Sequence, residues 1–392
     1  MIKVGIIVDD IREFGGAEKW VLNVIDLLKE NMEFALLTYF DKKRYIRINI
    51  NELAELEDVK IIKFNSTSLP IINEQIPVGI DSIIAFKKIK NFDVIYSTTQ
   101  NAFTNLFFMS AARFYNKRFI IGLHGSIIFR DFLYSKNPYK NLLLPLYNRI
   151  QKAIFFSSKE IHTINYQQKA YLLKNNYKGM IHYIPYFIFA NPYSQTFTNI
   201  NKKINFNHDF FNIIFVGRLS QFDKGLDLLS EIIIKVLSAK NKIKFYIVGS
   251  GPGEYVLKNI LKDYPNVIFC GFQSGKNLKN IYKNCDLLIS TSRYESFGLN
   301  ILEAQINGVP VISFKTDGAS EIIKKPFQGS LIKKYDTKAY AKLINRYYDL
   351  IYNGNSSYNY KQLIKRYINK EFNRNKAKKK LLNLFTLFTG AD

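Results

Sequence analysis

Cysteine is scarce in this chain, with only Cys270 and Cys285 among 392 residues. Two thiols cannot build a disulfide framework, so both are expected to pack as small apolar groups in a reducing compartment. Long apolar runs are missing as well: no stretch of about 18 apolar residues occurs, which excludes the usual sign of a membrane-crossing helix. The opening MIKVGIIVDD is too short and too β-branched for a secretory leader, and reads as a buried first strand. The four histidines, His124, His162, His182 and His208, are scattered without metal-ligand spacing, so no metal is expected. Neither a solenoid-period repeat nor a low-complexity tract is present. Acid is in short supply: 32 Asp and Glu stand against 56 Lys and Arg, a net charge of +24. Such an excess suits a polyanionic neighbour, or else reflects a lysine-rich proteome. The cations are spread along the chain without one long run, which argues against a dedicated nucleic-acid arm.

At 392 residues the chain exceeds the size at which single cores divide, and its 47% hydrophobic content is enough for two. Short apolar runs alternate with helical patterns. KVGIIV (3–8), FALLTYF (34–40), VKIIKF (59–64), DVIYST (93–98), RFIIGLH (118–124) and KAIFFSS (152–158) read as strands. GAEKWVLNVIDLLKEN (16–31) reads as a helix between two of them. A polar, irregular stretch with Pro192 then reads as a linker. The alternation restarts with FNIIFVG (211–217), KIKFYIVG (242–249), NVIFCG (266–271), CDLLIST (285–291) and VPVISF (309–314). The reading is α/β: two tandem Rossmann-like, doubly wound parallel-sheet domains, with ligands expected where the carboxyl strand ends face across a cleft. The boundaries are 1–190, a linker 191–208, 209–372, and a basic amphipathic helix in KEFNRNKAKKKLLNLFTLF (370–388).

Five stretches carry candidate chemistry. Gly15 and Gly16 follow the first strand and open a helix, where free amides favour an anion, although such a turn is as often structural. In VGRLSQFDKGLDLL (216–229), Gly217 ends a strand and Arg218 and Lys224 flank the loop after it. Two cations beside a helix start suit a diphosphate; singly, each is more often a solvated surface charge. VGSGPGE (248–254) looks like a truncated dinucleotide fingerprint, but Pro252 suits a simple tight turn better. In RYESFGLNILEAQINGVPVI (293–312), Ser296 or a neighbour caps a helix running from about Gly298 to Asn307. The amides of Gly298, Leu299 and Asn300 would be free for phosphate or sugar oxygens, with Glu295 just before the helix and Glu303 one turn inside it. The plainer alternative solvates both glutamates. His124, in GLHGS (122–126), closes a strand and so lies at the ligand edge, with a structural role equally open.

In this order the five stretches resemble the retaining glycosyltransferases of family 4, glycosyl transferases group 1, which have the GT-B fold. The likeness is strongest over 212–321, in FVGRL…KGLDLL, IVGSGPGEYVLKNI, VIFCGF, CDLLISTSRYESFGLNILEAQINGVPVISF and GASEII. In the first domain only Gly15, Gly16 and the His-Gly pair at 124–125 stand out. The resemblance implies a nucleotide-sugar donor, UDP- or GDP-linked, held mainly by the second domain. Arg218 and Lys224 would hold the diphosphate and Glu303 the ribose. Glu295 with Ser296, Phe297 and the following amides would hold the hexose. Gly16 would offer its amide to the phosphate, His124 would touch the sugar from the opposite wall, and the base would lie near Gly271 and Phe272. The last helix, about 373–392, would return to the first domain. Two departures stand out: IPYFIF where the family often has Asn-Gly after proline, and DGASE, with Asp317 at a usual glycine.

The chemistry expected is transfer of a hexose, with retention and without a metal, to a hydroxyl of a glycan or lipid-linked acceptor. Fixed cations and helix-start amides would take up the charge growing on the leaving diphosphate. Asp9 and Asp10 read as a loop start rather than a metal site. DKKRYIRI (41–48), FKKIKNF (86–92) and YNKRF (115–119) mix cations with aromatics and suit shallow docking on an anionic bilayer, or are solvated faces. The expected place is the cytoplasm, with a peripheral position on the inner face of the cell membrane open. The rivals are a nucleotide-sugar epimerase or hydrolase of the same fold, and a non-catalytic basic protein that binds glycan or nucleic acid.

Overall fold

The computed structural model describes residues 1–10, 15–39, 59–69, 74–125, 138–189, 204–352 and 360–386. Most of the expected linker (its residues 191–203) and the basic stretch 41–48 lie outside them. The chain divides into two compact units, Met1–Tyr186 with Arg374–Asp392, and Phe187–Asn373.

The first unit runs β1 (Ile2–Val8), α1 (Gly16–Leu28), β2 (Met32–Thr38), β3 (Lys60–Lys63), β4 (Asn65–Leu69), β5 (Glu74–Val78) and α2 (Gly79–Lys88). It continues with β6 (Val94–Ser97), α3 (Ala102–Phe114), β7 (Arg118–Leu123), α4 (Pro138–Phe156), β8 (Glu160–Thr163), α5 (Tyr166–Lys174) and β9 (Met180–Tyr183). Seven strands form a parallel sheet in the order β3-β2-β1-β6-β7-β8-β9, while β4 and β5 pair as a separate antiparallel hairpin. β1 can be apolar throughout because helices cover both faces of such a sheet, and Val4 to Val8 are buried. α1 starts at Gly15 with a capping box, the Gly15 amide donating to Glu18 Oε2 at 2.8 Å.

The second unit runs β10 (Phe211–Val216), α6 (Leu226–Leu237), β11 (Ile243–Val248), α7 (Glu254–Ile260), β12 (Val267–Gly271), α8 (Gly275–Asn284) and β13 (Leu287–Ser290). After these come α9 (Leu299–Ile306), β14 (Val311–Phe314), α10 (Asp317–Ile322), β15 (Gly329–Ile332), α11 (Thr337–Ile351) and α12 (Tyr360–Glu371). Its six parallel strands take the order β12-β11-β10-β13-β14-β15. The order reverses beside β10, so the ends of β10 and β13 border the point at which such sheets bind ligands. Phe211, Ile213, Leu229, Ile233, Phe245 and Leu287 fill the core of this unit. Truncating one of them to alanine would cost about 2–5 kcal/mol.

Two expectations need correction. KAIFFSS is not a strand: its first five residues end α4. Tyr147, Gln151, Ile154 and Phe155 are all buried, and that spacing is helical, not alternating. The strand comes after it, as β8. The basic tail is not one helix either. α12 stops at Glu371 and α13 (Arg374–Thr386) begins anew, burying Ala377, Leu381, Leu384 and Phe385 in the first unit. α9 is capped at Gly298, a neighbour of Ser296. Cys270 and Cys285 are buried and unbridged. Among the described residues no helix is long and apolar enough to cross a membrane.

Candidate functional site

The second unit gathers most of the expected site residues at the ends of β10 and β13. β10 leads into a loop through Gly217, whose amide donates to Val248 O at 3.0 Å. Leu219 N bonds Ser250 O and Gly253 N bonds Leu219 O, at 3.0 and 2.8 Å. VGSGPGE is therefore a buttress for the loop that carries Arg218, as the tight-turn reading expects. Arg218 reaches out and pairs with Asp223 at 3.0 Å, both side chains about half exposed. Lys224 turns the other way. Its ammonium donates to Glu295 Oε2 at 2.7 Å, across 71 residues of sequence. Ser292 Oγ also donates to Glu295 Oε2, at 3.4 Å. Thr291 pins the Lys224 carbonyl at 2.8 Å, which fixes the root of that side chain.

Glu295 sits at the mouth of the turn into α9. Gly298 there has φ +88°, a left-handed conformation that side-chain-bearing residues avoid. After it, the first-turn amides of Leu299 and Asn300 have no intrahelical acceptor. Asn300 anchors the helix start, donating from Nδ2 to Val216 O at 2.8 Å. Below the turn, Gly318 N donates to Glu295 O at 2.8 Å. A Cβ at 318 would lie 2.4 Å from the Phe297 carbonyl carbon, so DGASE keeps a glycine where backbone meets backbone. Glu303, one turn into α9, is buried and accepts from Tyr282 Oη at 2.9 Å. Gly271, whose carbonyl accepts from the Gly249 amide at 2.8 Å, ends edge strand β12 with the half-buried Phe272 after it, and apart from its chain neighbours no atom lies within 4 Å of a Cβ built on Gly271.

The first unit treats its expected residues differently. Gly15's amide is already taken by Glu18. His124, just past β7, is buried with both ring nitrogens engaged. Nε2 meets Tyr96 Oη at 2.7 Å and Nδ1 meets Tyr186 Oη at 2.8 Å. Tyr96 Oη also meets His162 Nδ1 at 2.6 Å, and His162 Nε2 meets the Ile184 carbonyl at 2.8 Å. Burial pushes His124 well below the ordinary histidine range and His162 down to about 4, so both are neutral. A carbonyl only accepts, which settles every proton in the chain. His162 Nε2–H donates to Ile184, Tyr96 to His162, His124 Nε2–H to Tyr96, and Tyr186 to His124. Trp20 covers the array, its ring 4.4 Å from that of His124. A sugar contact through a nitrogen of His124 would require the ring to release a tyrosine.

Sequence reasoning missed Tyr96, His162 and Tyr186. It also missed Glu74, buried where β5 begins. There Glu74 accepts from Tyr147, and burial pushes its carboxyl up to about 7. Asp9 is confirmed as a loop start and ties strands together, accepting from Thr99 Oγ1 at 2.6 Å and Asn101 Nδ2 at 2.9 Å.

Two tandem Rossmann-like parallel-sheet units define the GT-B class of fold. Solved structures agree. The Anabaena protein HepE, solved in complex with UDP and glucose, superposes with a TM-score of 0.74 at 16% identity, over 99% of this chain and 100% of that one. Sucrose-phosphate synthase of Thermosynechococcus elongatus gives 0.75 at 16% identity, over 100% of both chains. At such identity the likeness speaks for the fold alone. Residues 196–363 match the family model of glycosyl transferases group 1. An uncharacterized glycosyltransferase of Methanocaldococcus jannaschii is 37% identical over 33% of this chain and 34% of its own length. A GDP-mannose-dependent alpha-mannosyltransferase of Corynebacterium glutamicum is 34% identical over 32% of this chain and 28% of its own. The chain thus spans less than half the length of the curated relatives it matches.

Proposed function

We propose that this protein is a retaining, metal-independent glycosyltransferase of family 4. It would move a hexose from a UDP- or GDP-linked donor to a hydroxyl of a glycan or lipid-linked acceptor. The observation that carries this reading is the Lys224–Glu295 pair at 2.7 Å beside the open first turn of α9. Lys224 has three N–H donors and spends one on Glu295, which leaves two for phosphate oxygens. Glu295 then faces the hexose hydroxyls, and the α9 amides face the diphosphate. Arg218 closes on the same diphosphate after leaving the exposed Asp223. Glu303, held by Tyr282, takes the ribose, and the open space at Gly271 and Phe272 admits the base. In the first unit, the Gly16 amide and His124 remain proposed donor contacts, the latter after exchange of a tyrosine partner.

In the reaction the bond from the anomeric carbon to the diphosphate oxygen breaks, and a bond from that carbon to the acceptor oxygen forms on the same face. The acceptor proton passes to the departing phosphate oxygen. Fixed cations and amides stabilise the charge growing there without reorganising, and one such donor is worth about 2.7–4 kcal/mol. The partners named for relatives and neighbours, UDP with glucose and GDP-mannose, support the choice of donor class.

A thermal-shift panel of UDP, GDP, ADP and their sugars tests this reading. One base should raise the midpoint, by about 2.7 kcal/mol of stability at a hundredfold excess over Kd. Lys224→Ala should erase most of that shift, and turnover should survive chelation and yield the retained anomer. Turnover that needs no acceptor would mean an epimerase or hydrolase. No shift with any nucleotide would mean a binding protein of another kind.

A further inference from the structure

α2 buries the wrong residues for an ordinary surface helix. Its inward positions are Ser82 and Ala85, while Ile80 and Ile83 stand 67% and 51% exposed with Ile84 beside them. Positions 80, 83, 84 and 87 share one helical face, so three isoleucines line the outside and Lys87 continues their stripe. The neighbouring helix α3 ends in Phe114, 75% exposed. Phe86 joins the two helices, its ring 5.4 Å from that of Phe107 and 6.3 Å from that of Phe114. Cations collect at the same helix ends. From Gly79 to Lys117 the chain has five, Lys87, Lys88, Lys90, Arg113 and Lys117, against two acids. Those acids are engaged: Asp81 accepts from Asn65 and Asp93 from the Lys3 amide. Among the described residues none of the five cations pairs with a carboxylate; Arg113 donates only to the Ser157 carbonyl.

We infer that the outer face of α2 and α3 docks on an anionic lipid surface, with the isoleucines and Phe114 entering the interface and the cations meeting headgroup phosphates. The combination selects the partner. A second copy would set five cations against five, whereas an anionic bilayer offers apolar depth and negative charge together. The inference stands apart from the reaction proposed above, since it needs no donor.

Co-sedimentation of the full chain with vesicles of phosphatidylcholine alone, or of equal parts phosphatidylcholine and phosphatidylglycerol, tests it. The chain should pellet with the anionic vesicles only. Lys87, Lys88 and Lys90→Gln together should weaken binding about a hundredfold, at about fivefold per charge. Ile80→Ser with Ile83→Ser should weaken it about tenfold at unchanged charge. Lys276, Lys279 and Lys283→Gln, on α8 of the other unit, should change it less than about twofold. All the substituted positions except Lys88 are exposed, and an unchanged thermal midpoint will certify folding. The proposal fails if no vesicle pellets the chain, or if the α8 variant loses as much as the α2 variant. It also fails if the isoleucine pair is without effect, or if that pair instead abolishes self-association.

Discussion

The carboxyl edges of the two sheets use polar groups in opposite ways. In the first unit, Tyr96, His124, His162 and Tyr186 satisfy one another in a buried, neutral array under Trp20. In the second, Arg218 lies half exposed, Lys224 keeps donors to spare, and α9 leaves its first amides open. An edge whose bonds are closed resists change and costs stability when broken. An edge with donors left over is free to bind, and costs function when broken. Mutations at the two edges should therefore report on different quantities.

The largest effect belongs to the second unit. Lys224→Ala should lower kcat about 10²–10³-fold, with the urea midpoint nearly unmoved, as steady-state assays and unfolding curves would show. A large loss of stability instead would put Lys224 with the closed edge.

Next comes pH. His162 is held at about 4, against an ordinary value near 6.5. A depressed histidine contributes its full stability above the unfolded value and loses it as pH falls towards the folded one. Below pH 6.5 the unfolded chain takes a proton that the array refuses, so stability should drop by about 3 kcal/mol between pH 6.5 and 4. Glu74 has the opposite sign. Its carboxyl is pushed up to about 7, so its contribution is complete below about 4.5 and is lost as pH rises through 7. Urea titrations across this range in a Glu74→Gln background isolate the histidine slope, and a flat profile there would contradict the neutral array.

Tyr96→Phe is smaller. It keeps the ring but strands His124 Nε2–H and His162 Nδ1, which should cost about 2 kcal/mol. Long-range nitrogen–proton spectra would show the imidazoles losing their single tautomers, which mere loss of packing would leave intact. The smallest effect is that of Arg218→Ala on stability. Its pair with Asp223 is about half exposed, and the change should stay within about 0.5 kcal/mol while nucleotide affinity falls.

The second unit was legible because its site is local in sequence. Glu295, Gly298, Asn300 and Glu303 lie within one turn and one helix, and turn chemistry declares itself through glycine. Even there, the direct pairing of Lys224 with Glu295 was not visible, because it spans two strands that are neighbours only in space. The first unit hid more. Tyr96 and His162 come from β6 and β8, and His124 from just past β7 between them, and neutral side chains that satisfy each other leave no pattern in composition. Reading KAIFFSS as a strand also moved the true strand, and His162 with it, out of view. On α2 the isoleucines look like core residues in a linear reading, and only the fold reveals which side they occupy.

α13 belongs to the first unit although the strands of both sheets precede it in sequence. Phe385 sets its ring edge against Phe34 and Tyr96, at 6.4 and 5.7 Å. A chain emerging from the ribosome therefore holds its first unit unfinished, with an apolar seat empty, until α13 appears. Nascent first units should recruit chaperones for longer than nascent second ones, and a stop codon near residue 374 should send the protein to proteases even with the second unit whole.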